Sequence, residues 1–217
     1  MKRAIIILSG IAIAISACKS GTNNALPILG NRTPVTKTVN GKTVTDTIYK
    51  TIPDFKMVNQ YGDSISSKNL NGKIYVADFF FTSCPSICPV MHRNMLNVYN
   101  EFKNAADFKI LSYSIDPKYD SVAVMKKYAD KLGISGQAWW LLQGKKDETY
   151  KLAESYLTHA ADDASAPGGH IHDGYFILVD KQKHIRGAYD GTQPDQVTKL
   201  IADIKTLQAE PDQSIAQ

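Results

Sequence analysis

Cysteine is scarce in this chain, with three among 217 residues. Cys18 follows an apolar amino-terminal stretch, so Cys84 and Cys88 alone remain for a folded domain. One pair is too little for the disulfide frameworks of small secreted folds, which carry several bridges. A long apolar run is also missing. Residues 4–14 are the apolar start of the chain, and they fall short of the roughly 20 apolar residues that a membrane-spanning helix needs. Neither sign of charge dominates: 25 Lys and Arg face 21 Asp and Glu, or 23 against 21 once Lys2 and Arg3 are set aside. That balance excludes the basic footprint of a nucleic-acid binder. There is no internal repeat. What is present, 43% hydrophobic and 21% charged residues, is ordinary globular composition with enough length for one good core.

The amino terminus, MKRAIIILSGIAIAISAC, has a basic start, an apolar stretch and small residues before Cys18, the anatomy of a secretory signal. Ile15-Ser16-Ala17-Cys18 also resembles the bacterial lipobox, in which the cysteine is acylated and becomes the new amino terminus. The expectation is a signal peptide over residues 1–17 and a lipid on Cys18. A flexible tether rich in Gly, Asn, Ser and Pro follows over residues 18–34, then a folded domain over 35–208 and a polar tail over 209–217. Such a chain is an exported bacterial lipoprotein, anchored to a membrane and facing the periplasm. Oxidising conditions there pair neighbouring thiols unless a reductant or a metal holds them. The Cys84 and Cys88 pair is therefore read as chemical rather than structural.

Residues 35–48 alternate apolar and polar about Asn40-Gly41, which favours a hairpin turn. Tyr61-Gly62-Asp63 marks a turn between two short strand-like runs. IYVADFFF, residues 74–81, suits a central strand buried on both faces. Met91, Met95, Val98 and Phe102 then recur at helical spacing. A strand over 108–115 precedes a helix with Val122, Met125, Tyr128, Ala129 and Leu132 on one face. A short strand over 138–142, a helix over 147–156 and a hairpin pair over 174–180 and 184–189 come next. A closing helix over 194–207 carries the stripe Val197, Leu200, Ile201, Ile204 and Leu207. Alternating strands and helices with a late hairpin argue for an α/β chain with a mainly parallel sheet, crossover helices and antiparallel strands at one side. That is a thioredoxin-like fold, a central mixed sheet flanked by helices, with extra hairpins.

The two cysteines of FTSCPSICPVMH, residues 81–92, sit where the buried strand gives way to a helix. Cys84 is expected in the loop and Cys88 in or near the first helical turn. Unpaired N–H groups and the positive dipole end of a helix both favour thiolate there. Pro85 and Pro89 stiffen the loop, and residues four apart share a helical face, so a disulfide is within geometric reach. Thioredoxin-class enzymes place two residues between their cysteines and this chain places three. Two soft thiolates suit Cu(I), and an added imidazole suits Cu(I) and Cu(II) alike, whereas a structural zinc site wants four protein ligands.

Five histidines compete to be that imidazole. His92 lies four residues past Cys88 on the same helical face, but a ligand there points along the axis and leaves a strained site. His159 in a polar loop and His184 at a hairpin tip read as solvated. GGHIHDGYFILVD, residues 168–180, places His170 and His172 before a strong strand. If that strand lies beside the one feeding the cysteine loop, either can approach the thiols. Two apart, they would share a side in a regular strand, so spacing does not choose between them.

IYVADFFFTSCPSICPVM, LSYSIDPKYDS, WWLLQG and HDGYFILVDKQKHIRGAYDG together resemble the Sco (SenC) family of membrane-anchored copper proteins, over residues 52–207. The resemblance selects His172, because Leu178 and Asp180 follow it in the family's register and His170 does not fit. It implies one copper ion, Cu(I) or Cu(II), held by Cys84, Cys88 and His172. It further implies a role in delivering copper to, or reducing the cysteines of, the CuA site of cytochrome c oxidase. The oxidase subunit carrying that site, and a thiol reductant or copper donor, are then the partners. Asp78 resembles an acidic position of some bacterial members, with two readings: an oxygen near the metal, or a buried hydrogen-bonded carboxylate. Asp116 and Asp120 are read as shaping a loop.

Two enzyme readings stand beside the copper carrier. Cys84 and Cys88 are redox-active in a thiol-disulfide oxidoreductase that reduces acceptor cysteines, or in a redox sensor. A peroxidase ranks last, since it wants an arginine at its thiolate and Arg93 alone is near in sequence.

Overall fold

The computed structural model describes residues 25–211, so the signal peptide and Cys18 lie outside the described residues. The chain first forms a hairpin, β1 (Arg32–Val39) against β2 (Lys42–Tyr49), closed by Asn40 and Gly41 at φ 51° and 77°. Those paired positive values are what the Asn-Gly dipeptide supplies cheaply. Then come β3 (Lys56–Asn59), β4 (Ser64–Ser66), a 3₁₀ turn, β5 (Ile74–Phe80), α1 (Cys88–Phe102), β6 (Phe108–Ser114), α2 (Val122–Leu132) and β7 (Trp139–Gln143). The rest is α3 (Lys146–Ser155), β8 (Ala160–Asp162), β9 (His170–His172), β10 (Tyr175–Val179), β11 (Ile185–Asp190) and α4 (Pro194–Ala209).

Seven strands form one sheet in the order β11-β10-β5-β6-β7-β3-β4. β5, β6 and β7 are parallel neighbours joined through α1 and α2, while β10 pairs antiparallel with β5 and β3 antiparallel with β7. Every residue of β5 is buried, as expected of a strand covered on both faces. α1 packs on α2 and α4, and α4 also on β5 and β11. The fold is thioredoxin-like, a mixed sheet flanked by helices.

Two expectations need correction. Antiparallel strands occupy both edges of the sheet rather than one. The β3-β4 hairpin adds to the far side because buried Gln60 donates to the Trp139 carbonyl and accepts from the Leu141 amide, each at 2.9 Å, fastening it to β7. Second, the stretch read as a tether through residue 34 is docked where it enters the described residues. The Leu26 amide donates to Glu210 Oε1 at 2.7 Å, Arg186 Nη2 donates to the Leu26 carbonyl at 2.5 Å, and Leu29 pairs with Ile185. Arg186, buried, also pairs with Asp180 and Glu210, and this ionic hub pins the segment. His170–His172, whose conformation the sequence leaves open, is itself a strand, paired with β8 in a second small hairpin.

Candidate metal centre

The topology sets the site. β10 runs antiparallel to β5 with Ile177 opposite Ala77, so the chain just before Tyr175 emerges beside the loop that leaves Phe80. Loops at the carboxyl ends of parallel strands are where α/β sheets place ligands. Here one such loop carries both sulfurs, and the antiparallel neighbour brings an imidazole to it.

Cys84 sits in the loop, its amide donating to the Phe81 carbonyl at 3.1 Å. Cys88 is the first residue of α1, Pro89 lies in the first turn, and no side chain caps the helix. Pro89 has no N–H and the Val90 amide donates to the Ile87 carbonyl at 3.0 Å, so within this first turn the Cys88 amide is the donor left to face an anion. The loop is anchored by Asp120, a buried carboxylate that accepts from the Thr82 amide at 3.2 Å, from the Thr82 hydroxyl, and from Ser114 Oγ at 2.5 Å. Burial raises its pKa, with the Ser114 and Thr82 hydrogen bonds opposing. Asp120 thus ties the ends of β5 and β6 together, and the Asp116 carbonyl accepts from the Tyr119 and Asp120 amides at 3.1 and 2.9 Å. Both aspartates shape the loop, as their turn-forming chemistry suggests.

His172 Nε2 lies 3.1 Å from Cys88 Sγ, and its Nδ1 lies 3.1 Å from the Asp173 carbonyl. A carbonyl only accepts, so Nδ1 carries the hydrogen and Nε2 presents its lone pair to the sulfurs. One donor atom each from Cys84, Cys88 and His172 lies within 4.8 Å of the others, the one such grouping of metal-binding side chains among the described residues. Both cysteines are reduced and buried. Their protons are unequal. The Cys84 thiol is pulled down to about 3 by the hydrogen bond from Cys88, helped by Ser86 and the Cys88 amide, while burial opposes. The Cys88 thiol is pushed far above its ordinary range by that same bond and by burial. At neutral pH Cys84 is the anion and Cys88 holds the shared proton, an asymmetry that equips one sulfur to attack or to ligate first.

The other histidines are accounted for. His92 is fully buried, with Nε2 3.2 Å from Asp78 Oδ2 and Nδ1 2.9 Å from the Tyr128 hydroxyl. Asp78 in turn accepts from Ser112 Oγ at 2.5 Å, and Ser112 from Trp139 Nε1 at 2.9 Å. Asp78 is therefore a buried carboxylate engaged by a histidine and a serine, and it is not one of the three clustered donors. Sequence reasoning had not joined His92 to Asp78; only the buried Asp within β5 hinted at such a partner. His159 is exposed. His184 is less solvated than expected, 22% exposed with Nδ1 3.5 Å from Asp180. His170 shares the Phe81 ring with His172, the centroids 5.2 and 6.0 Å away, so the pair does lie on one side. Yet the nitrogens of His170 face Asp162 and Asp116, at 2.9 and 3.6 Å, rather than the sulfurs. Arg93 is exposed on α1.

The profile of the SCO1/SenC family matches residues 44–209 of the chain. Among solved structures, the chain resembles a SCO1/SenC family lipoprotein from Bacillus anthracis at 29% identity and TM-score 0.66, covering 73% of this chain and 95% of that one. BsSco, described as a member of the Sco family of cytochrome c oxidase assembly proteins with a disulfide switch, aligns at 28% identity and TM-score 0.61 over 72% and 94% of the two chains. Yeast Sco1 with copper bound aligns at 25% identity and TM-score 0.58 over 76% and 93%. With the family profile spanning the thiol loop, the β9 histidine and the sheet that brings them together, the chain belongs to the SCO1/SenC family.

Proposed function

We propose that this protein carries one copper ion on Cys84 Sγ, Cys88 Sγ and His172 Nε2 and hands it on during assembly of the CuA site of cytochrome c oxidase. The observation that carries the reading is the convergence of those three atoms within 4.8 Å. Two thiolates and one imidazole are a soft, three-donor set suited to copper, while a structural zinc site would need a fourth protein ligand. Three donors leave room for exchange. An acceptor thiolate can enter as one of the chain's sulfurs leaves, so the cargo passes without ever being free. The copper-bound yeast relative, and BsSco as a member of a family of cytochrome c oxidase assembly proteins, support the same reading.

Oxidation of Cys84 with Cys88 removes both sulfur ligands, so metal affinity and thiol state are linked. This gives the second reading its footing: the low Cys84 and high Cys88 thiol pKa values suit a thiol-disulfide reductant of acceptor cysteines, which would not need His172. We place the mature chain at the periplasmic face of a membrane, held by a lipid on Cys18, on the strength of the lipobox-like tetrad.

Copper titration of the reduced protein with visible spectra tests both readings. The carrier reading expects one equivalent bound with a Cu(II)-thiolate charge-transfer band, most of it lost in Cys84→Ser and in Cys88→Ser. His172→Ala should weaken Cu(II) chiefly. Unchanged stoichiometry in Cys84→Ser would refute the site. Retention of full oxidase assembly by His172→Ala would favour the reductant.

A further inference from the structure

His172 rides on a slight support. β8 and β9 pair over three residues each, Ala160 opposite His172 and Asp162 opposite His170, and residues 163–169 close the hairpin. Two posts fasten this strap to the body of the protein. On one side Asp162 accepts from Tyr150 Oη at 2.8 Å and pairs with Lys146, both on α3. On the other, His170 Nε2 lies 3.6 Å from Asp116 Oδ2, in the loop after β6 that Ser114 and Asp120 hold in shape. His170 Nδ1 contacts Asp162 Oδ1 at 2.9 Å, so one ring spans the two posts. Its side chain is 12% exposed and stands edge-on to Phe81. Gly168, at φ +85°, lets the tip lie against that ring, since a Cβ there would sit 2.7 Å from a Phe81 ring carbon.

We propose that His170 is the positioning residue of the site, a latch between Asp116 and Asp162 that holds the strap down and so fixes His172 Nε2 against Cys88. Neither nitrogen is left for metal, and the next residue on that face is the donor itself. A strap freed at the Asp116 post would swing His172 away while leaving the sulfurs in place. The use of this latch in metal release rests on the copper reading; the latch itself does not.

Hydrogen exchange on the reduced, metal-free chain decides it. In His170→Ala, which loses the 2.9 Å contact with Asp162 as well as the ion pair with Asp116, amides of residues 160–173 should exchange about tenfold faster; in Asp116→Asn, which loses only the ion pair, they should exchange severalfold faster. β5 and α1 should be unaffected. The double variant should exchange no faster than His170→Ala, because Asp116 acts on the strap through that ring, and His170→Gln, which keeps a side-chain N–H, should recover part of the protection. Unchanged exchange of this segment in His170→Ala, or multiplied effects in the double variant, would overturn the latch. Copper release to a chelator should also quicken about tenfold in His170→Ala, with one equivalent still bound at saturation. A wild-type chain that takes up no copper refutes the copper reading, and the exchange experiment then still judges the latch.

Discussion

Removal of the Asp78 carboxylate is the sharpest way to test what stands behind the sulfurs. Asp78 is wholly buried, and it is the shared acceptor for Ser112 Oγ and His92 Nε2. Asp78→Ala takes both bonds away at once. The ring and the hydroxyl are then enclosed without an acceptor, each costing about 1–3 kcal/mol. The small void left by the carboxyl group adds about 1 kcal/mol, for a loss of roughly 3–7 kcal/mol, which spans the roughly 3–5 kcal/mol for breaking a buried pair. Asp78→Asn keeps the shape and one carbonyl acceptor, so it should cost about 1–2 kcal/mol. Urea unfolding of the reduced protein, followed by the fluorescence of Trp139 and Trp140, measures both. Trp139 is well placed as a probe because its Nε1 donates to Ser112. The folded fraction of each variant should keep one copper equivalent, since Asp78 is outside the donor cluster. A loss under 1 kcal/mol for Asp78→Ala, or an Asn variant less stable than the Ala one, would refute the network as a stabilising element. Abolished copper uptake in a folded Asp78→Asn protein would move the carboxylate to the metal.

Other outcomes follow from the same geometry. Because the Cys84 thiol is pulled down to about 3, thiolate absorbance near 240 nm should persist unchanged from roughly pH 8 down to pH 5, where an ordinary thiol would be protonated; it should vanish in Cys84→Ser, and a midpoint near 8 would contradict the assignment. Arg186→Met strands Asp180 and Glu210 together in the interior, so thermal unfolding should show a loss of roughly 3–5 kcal/mol, and limited proteolysis should open the chain before β1, whose carbonyls at Leu26 and Pro27 that arginine holds. Gly168→Ala meets both a positive φ and the Phe81 ring; it should lower stability by about 1–2 kcal/mol and speed copper loss while leaving thiol titration unchanged, as read from chelator competition.

Much of the fold was visible in the pattern of residues. β5 reads as a buried strand because it is apolar without interruption, and α1, α2 and α4 show their stripes at helical spacing. The Asn40-Gly41 turn announces itself. Harder to see were the short pieces. β3 has four residues and β8 and β9 three each, too few to display a period, and nothing local says that β3 joins the edge beyond β7. Side-chain partners at a distance were equally hidden. That Gln60 would cap β7, or that Arg186 would reach back to Leu26, depends on the finished sheet. At the site, the two sulfurs and their helix start were legible from spacing, but the choice of His172 over His170 came from family resemblance. The physical ground for that choice is a lone pair free on one ring and two carboxylates around the other. His92 illustrates the reverse case, a histidine rightly doubted as a ligand whose true partner could not be named.

The imidazole that faces Cys88 comes from 84 residues further along the chain, whereas the sulfurs are near neighbours. Chain closure between the cysteines needs only a few residues, but the histidine arrives only once β10 has docked on β5, and remote strand pairing is the slow part of folding. Under the export proposed above, the thiols would therefore meet oxidant before the third donor exists. A chain exported in that way would emerge bridged and empty, and an electron donor would have to reach it before copper could.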